Sequence, residues 1–168
     1  MRQLKRFGLV FGVVAVSTLF DQWSKQIAID EFRGRPPVIY LYNFFRFDYA
    51  ENPGAFLSLG ASLSPEARLW TLSIAVAVFL AALAVYVVRT RSMSRVQTLA
   101  LSLVLGGGVS NLIDRFFRPS GRVVDFMNMG IGSLRTGVFN IADMLIMAGI
   151  FVFLFTNLAQ AAEEKRSR

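Results

Sequence analysis

Residues 96–115 read VQTLALSLVLGGGVSNLIDR, and how this stretch is taken decides the fold. Its length is close to the roughly 20 apolar residues that a helix needs to cross a hydrocarbon core. Three consecutive glycines, Gly106 to Gly108, would let another helix backbone approach closely. The stretch then ends on Asn111, Asp114 and Arg115, which share a helical face at spacings of three and four. A membrane span with a polar cluster at one end is therefore expected, in which amide, acid and base form a hydrogen-bonded group and Arg115 keeps Asp114 charged.

Three more segments meet the same length requirement, at about 7–27, 67–88 and 138–159. With 54% hydrophobic residues in 168, the chain reads as one integral membrane domain: an all-α protein of four transmembrane helices. MRQLKR before the first apolar run fits the opening of a secretory signal. However, DQWSK stands where a small-residue cleavage site would be, so an uncleaved anchor is expected. Arg2, Lys5, Arg6, Arg89, Arg91, Arg95, Lys165, Arg166 and Arg168 flank the spans on one side, opposed there only by Glu163 and Glu164. Their balance equals the formal +7 of the whole chain, while the segments 28–66 and 116–137 together sum to zero. By the positive-inside tendency both termini and the middle link are cytoplasmic, and 28–66 and 116–137 lie outside. The basic character is thus a topology signal, and no nucleic-acid motif accompanies it.

PPVIYLYNFFRFDYAEN, 36–52, is dense in aromatic and β-branched residues and is expected to form a hairpin or small sheet on the outer membrane surface. Its rings fit either an interfacial belt or a substrate-contacting surface. Ser64, Pro65 and Glu66 suit the start of the second span.

The chain has no cysteine and no histidine, so thiol nucleophiles, Ser-His pairs and Cys/His metal sites are excluded. Ionisable residues inside a span cost about 2.5–3.5 kcal/mol each on insertion scales and face a bundle interior. Asp21 precedes Lys25 by four residues, the spacing of a structural ion pair on one helix face. Asp125 sits in VVDF, and Asp143 sits in FNIAD with Asn140 three residues back on the same face. If the Gly-rich link between them turns back, the two carboxyls meet at one depth. Such a pair shares a proton: one member activates a water as general base while the other donates to a carbonyl oxygen. Two other readings remain open from spacing alone. Each acid could have its own structural partner in a scaffold, or both could belong to a proton or ion path.

Taken in order, DQWSK, ENPGAF, GGGVSNLIDR, VVDF and FNIAD resemble the blocks of the bacterial lipoprotein signal peptidases, the type II signal peptidases. The resemblance runs from about Asp21 to Asp143. It implies an intramembrane aspartyl protease of the bacterial inner membrane, active toward the periplasmic face. Such an enzyme removes the signal peptide from diacylglyceryl-modified prolipoproteins by cutting before the lipidated cysteine. The catalytic acids would be Asp125 and Asp143, with Asn52, Asn111, Asp114, Arg115 and Asn140 supporting them or the substrate, and no cofactor or metal. Asp21 and Lys25 would complete the polar set. Membrane lipid and a globomycin-type inhibitor are the other implied partners, and a small outer β-structure with a short surface helix is implied in 28–66. One block departs from the common Asn-x-Gly-Ala-Ala-Phe: here it reads Asn52-Pro53-Gly54-Ala55-Phe56-Leu57, with the aromatic one place early.

Overall fold

The computed structural model describes residues 3–53, 64–118 and 121–166. Four helices carry the chain: α1 (Gln3–Phe32), α2 (Pro65–Arg89), α3 (Arg95–Phe117) and α4 (Ile141–Arg166). Each is long and apolar enough to span a membrane. Between them lie the strands β1 (Val38–Tyr40), β2 (Phe45–Asn52), β3 (Val123–Ile131) and β4 (Leu134–Arg135).

The helices begin where local chemistry satisfies their unpaired N–H groups. Ser64 accepts from Ala67 N ahead of Pro65 at the head of α2. Ser94 and Gln97 form a reciprocal capping box at the head of α3. α3 is the most buried of the four helices, and its glycines explain why. A side chain at Gly106 would meet Ser17 of α1, one at Gly107 would meet the backbone of α4 at Ala142, and one at Gly108 would meet Leu80 of α2. Three successive residues thus admit three different helices. Gly107 has the least room, because an added Cβ would sit 2.5 Å from the Ala142 carbonyl oxygen, which is backbone and cannot rotate aside. Gly107→Ala is therefore expected to cost about 1–3 kcal/mol, the usual range for overpacking. The check is the unfolding transition of the purified variant in detergent; an unchanged midpoint would show that α4 shifts freely.

Arg6, buried in α1, donates to the carbonyls of Thr90, Arg91 and Met93 in the α2–α3 link. Gln97 donates to Gln160 of α4 at 3.0 Å. The start of α1, the α2–α3 link and the end of α4 therefore share one end of the bundle. The strands form a four-stranded antiparallel sheet in sequence order at the other end. It packs on Ala28 and Phe32 of α1 through Phe47, Phe126 and Met127.

This sheet is larger than 36–52 alone suggests, because 116–137, expected only as an outer segment with a Gly-rich link at 130–137, supplies two of its strands. β2 pairs with β3 over Phe45↔Met129 to Asn52↔Val123, with a bulge between Phe47 and Ala50. β3 folds onto β4 through Gly132, whose φ of +57° is the left-handed conformation that a two-residue hairpin demands. The surface helix expected within 28–66 bears on residues 54–63, which lie outside the described residues. So does the departure at Gly54 to Leu57.

Candidate active site

Asp143 enters the site through the way α4 starts. Asn140 accepts from Asp143 N through its side-chain oxygen at 2.9 Å, while its own N–H donates to Asp143 Oδ2 at 3.1 Å. This is the reciprocal arrangement of a capping box, with the acid in the third helical position. It fixes the carboxylate at the mouth of α4. Asp125 comes from β3, and Asn140 reaches it too: Nδ2 donates to Asp125 Oδ1 at 2.6 Å. Asn140 therefore joins the two carboxyls, 18 residues apart in the chain, through its backbone N–H to Asp143 and its side chain to Asp125.

The remaining polar residues extend this core. Asn52 on β2 donates to Asp125 Oδ2 at 3.1 Å. Asn111 donates to Asp143 Oδ1 at 3.0 Å and accepts from Asn140 and from Lys25 Nζ, the latter at 2.8 Å. Lys25 is fully buried and ion-paired with Asp21 at 2.7 Å and Asp114 at 3.0 Å. Each of these acids in turn grips backbone beside one member of the pair. Asp21 Oδ1 accepts from Ala142 N at 2.7 Å, next to Asp143. Asp114 Oδ2 accepts from Val124 N at 3.1 Å, next to Asp125.

The structure thus gathers Asp21, Lys25, Asn52, Asn111, Asp114, Asp125, Asn140 and Asp143 into one network, but Arg115 plays a different part from the one expected. The ion-pair partner that α3 offers Asp114 is Arg118, whose Nε lies 2.7 Å from Asp114 Oδ1. Helix α3 runs two residues past Arg115, so Arg118 falls at the i+4 position where a base meets an acid. Arg115 makes no ion pair among the described residues and instead lies within electrostatic reach of Asp143, Asp125 and Asp114. Gln22 and Ser110 also enter unannounced: Gln22 donates to Asp114 Oδ1 at 3.0 Å, and Ser110 to Asp21 Oδ2 at 2.7 Å. Their spacings from Asp21 and Asp114, on the same helices, were the available signal.

Burial in the sheet, reinforced by the neighbouring charge of Asp143, pushes the Asp125 carboxyl up to about 7. A carboxylic acid that holds its proton near neutrality beside a second carboxyl is the arrangement general acid–base chemistry needs.

A four-helix bundle of membrane-spanning length, capped by a sheet and holding two linked aspartates at one end, defines a class of multi-pass membrane protein. Comparison with known proteins narrows the class. Residues 13–159 match the family model described as signal peptidase (SPase) II. A lipoprotein signal peptidase of Sphingopyxis alaskensis is 38% identical over 89% of this chain and 83% of its own length. One from Borrelia turicatae is 34% identical over 88% of each. A solved bacterial membrane enzyme, determined by the in meso method at 2.3 Å resolution, superposes with a TM-score of 0.76 at 24% identity, covering 93% of this chain and 91% of that one. That likeness concerns the fold. The chain belongs to the signal peptidase II family, proteases that remove signal peptides from prolipoproteins.

Proposed function

We propose that the protein is an aspartic endopeptidase that cuts diacylglyceryl-modified prolipoproteins on the amino-terminal side of the lipidated cysteine, with Asp125 and Asp143 as its catalytic pair. The observation that carries this reading is the bridge from Asn140 to both carboxyls. Asp125, in its protonated form, donates to the oxygen of the scissile carbonyl while Asp143 takes a proton from the attacking water. The tetrahedral diol then collapses: Asp143 returns its proton to the departing amine and Asp125 recovers one from a diol hydroxyl. A free carboxyl terminus and a free lipidated cysteine amine result. Asn52, Asn111 and Asn140 hold the acids, Asp21, Lys25 and Asp114 hold the backbone beside them, and Arg115 offers a charge to the substrate backbone or the developing oxyanion.

Arg6 at the start of α1, the basic residues of the α2–α3 link, and Lys165 and Arg166 at the end of α4 belong to the end of the bundle opposite the sheet. The positive-inside tendency therefore turns the site toward the periplasmic face of a bacterial inner membrane. A globomycin-type cyclic peptide occupying the substrate's place is the inhibitor this reading predicts.

The test is cleavage of a diacylglyceryl-modified peptide by purified protein in detergent, across pH and with a metal chelator. Product cut before the modified cysteine, unaffected by the chelator, is expected. Activity should fall as pH rises past about 7, because Asp125 then loses the proton it must donate. The same raised pKa means that the folded protein binds an extra proton between the ordinary 3.8 and about 7, so stability declines as pH rises through that window. Asp125→Asn should flatten this decline. A well-folded protein that leaves the lipidated peptide intact overturns the reading.

A further inference from the structure

The two hairpin turns of the sheet lie side by side at the end remote from Asp125. Tyr40 pairs with Phe45 across the first turn, Gly130 with Arg135 across the second, and Phe45 faces Met129 between them. Gly130 N donates to Phe44 O at 2.9 Å, and Arg135 Nη1 donates to Asn43 O at 2.8 Å, so the turns are clamped as one tip. Leu41, Tyr42 and Asn43 all hold left-handed backbone, with φ of 52°, 51° and 71°, which turns the first two side chains outward. The result is an apolar end that no described residue covers: Leu41 is 71% exposed, Tyr42 107%, Ile131 77% and Leu134 82%. Patches of this kind mark an interaction surface.

Its occupant follows from charge. Behind the apolar side chains stand Arg46 and Arg135, close enough to repel each other, with Asp48 the one acid that acts on Arg135 among the described residues. Arg46 Nε donates to Asn43 Oδ1 at 2.6 Å, and neither arginine forms an ion pair among the described residues. Apolar and tyrosyl groups in front, with guanidinium groups behind that are held by neutral acceptors and keep their charge, match the layering of a lipid surface, acyl chains first and phosphates next. We infer that the paired turns 41–44 and 131–134 insert into the outer lipid leaflet as an anchor, with Arg46 and Arg135 on lipid phosphates. Because β2 and β3 run from this tip to Asn52 and Asp125, the anchor sets the height of the catalytic end of the sheet above the membrane.

The chain contains no cysteine, so Tyr42→Cys and Leu134→Cys each create a unique site for a nitroxide label, with Arg35→Cys as the control. The protein is placed in vesicles of phosphatidylethanolamine and phosphatidylglycerol. Relaxation of the label by oxygen, which concentrates in lipid, is compared with relaxation by a water-soluble nickel chelate. A rise in the oxygen-to-nickel ratio at both sites over the control is the expected result. Strong relaxation by both reagents would place the tip in water, and weak relaxation by both would place it against protein, such as a second copy; either overturns the anchor. The readout is independent of proteolysis, so failure of the anchor and failure of the protease reading are told apart.

Discussion

Folded Asp143→Asn and Asp125→Asn proteins are each expected to lose cleavage of the lipidated peptide by roughly 10²–10⁴-fold, the contribution of a positioned acid or base. Asparagine preserves shape in both places. At 143 its oxygen still accepts from Asn140 N or Asn111, so the start of α4 keeps its cap and the fold should survive. At 125 an amide replaces a carboxyl that burial already disfavours as an anion, and folding is expected to tolerate that change well. What asparagine cannot do is exchange a proton with water or a carbonyl oxygen near neutral pH. Loss of activity with an unchanged unfolding transition therefore isolates the chemistry from the scaffold. The double variant should be about as inactive as either single one, because residues acting as one unit are not additive. Full activity in either folded variant would remove that residue from the catalytic pair. A pair serving only a proton path would leave peptide cleavage untouched.

The four spans were legible because apolar length is a local property, and the glycine triplet because close approach needs the absence of a side chain. Contacts that depend on distant pairing were not. Lys25 meets Asn111 across 86 positions, and Asn52 meets Asp125 across 73, and no helical or strand period reports such distances. The second half of the sheet was missed for a related reason: apart from Asp125, VVDFMNMGI is apolar or amide-bearing on both faces, so it lacks the alternation of a half-exposed strand. Burial explains that pattern, since most of β3 is covered by β2 and the helices. Arg118 was hidden by ending the third span at Arg115, one turn's worth of geometry too early. The four acids of the network were all visible as costly residues, and the Asp21–Lys25 pair could be read from its spacing, but the second ion pair of Lys25, to Asp114 on another helix, could be read only from the structure.

Lys25→Met is expected to destabilise the protein by about 3–5 kcal/mol, the usual cost of breaking a buried ion pair from one side. Lys25, Asp21 and Asp114 are all fully buried, and Arg118 supplies the fourth charge, so the group is neutral as it stands. Methionine fills the space of the lysine stem but leaves one negative charge without its counterpart. Adding Asp21→Asn restores neutrality while still offering an oxygen to Ala142 N. The double variant should consequently be more stable than Lys25→Met alone, a coupling that a thermodynamic cycle on detergent-solubilised protein would measure. Simple additivity would show that the pair is solvated in solution. Cleavage is expected to recover less than stability does. Lys25 also orients Asn111, whose amide holds Asp143, and it joins the two carboxylates that grip the backbone beside Asp143 and Asp125. A refolded site in which Asn111 is free to rotate should show a lower kcat with little change in KM, since the substrate's contacts remain while the base loses its fixed orientation. Full recovery of kcat in the double variant would confine Lys25 to holding the helices together.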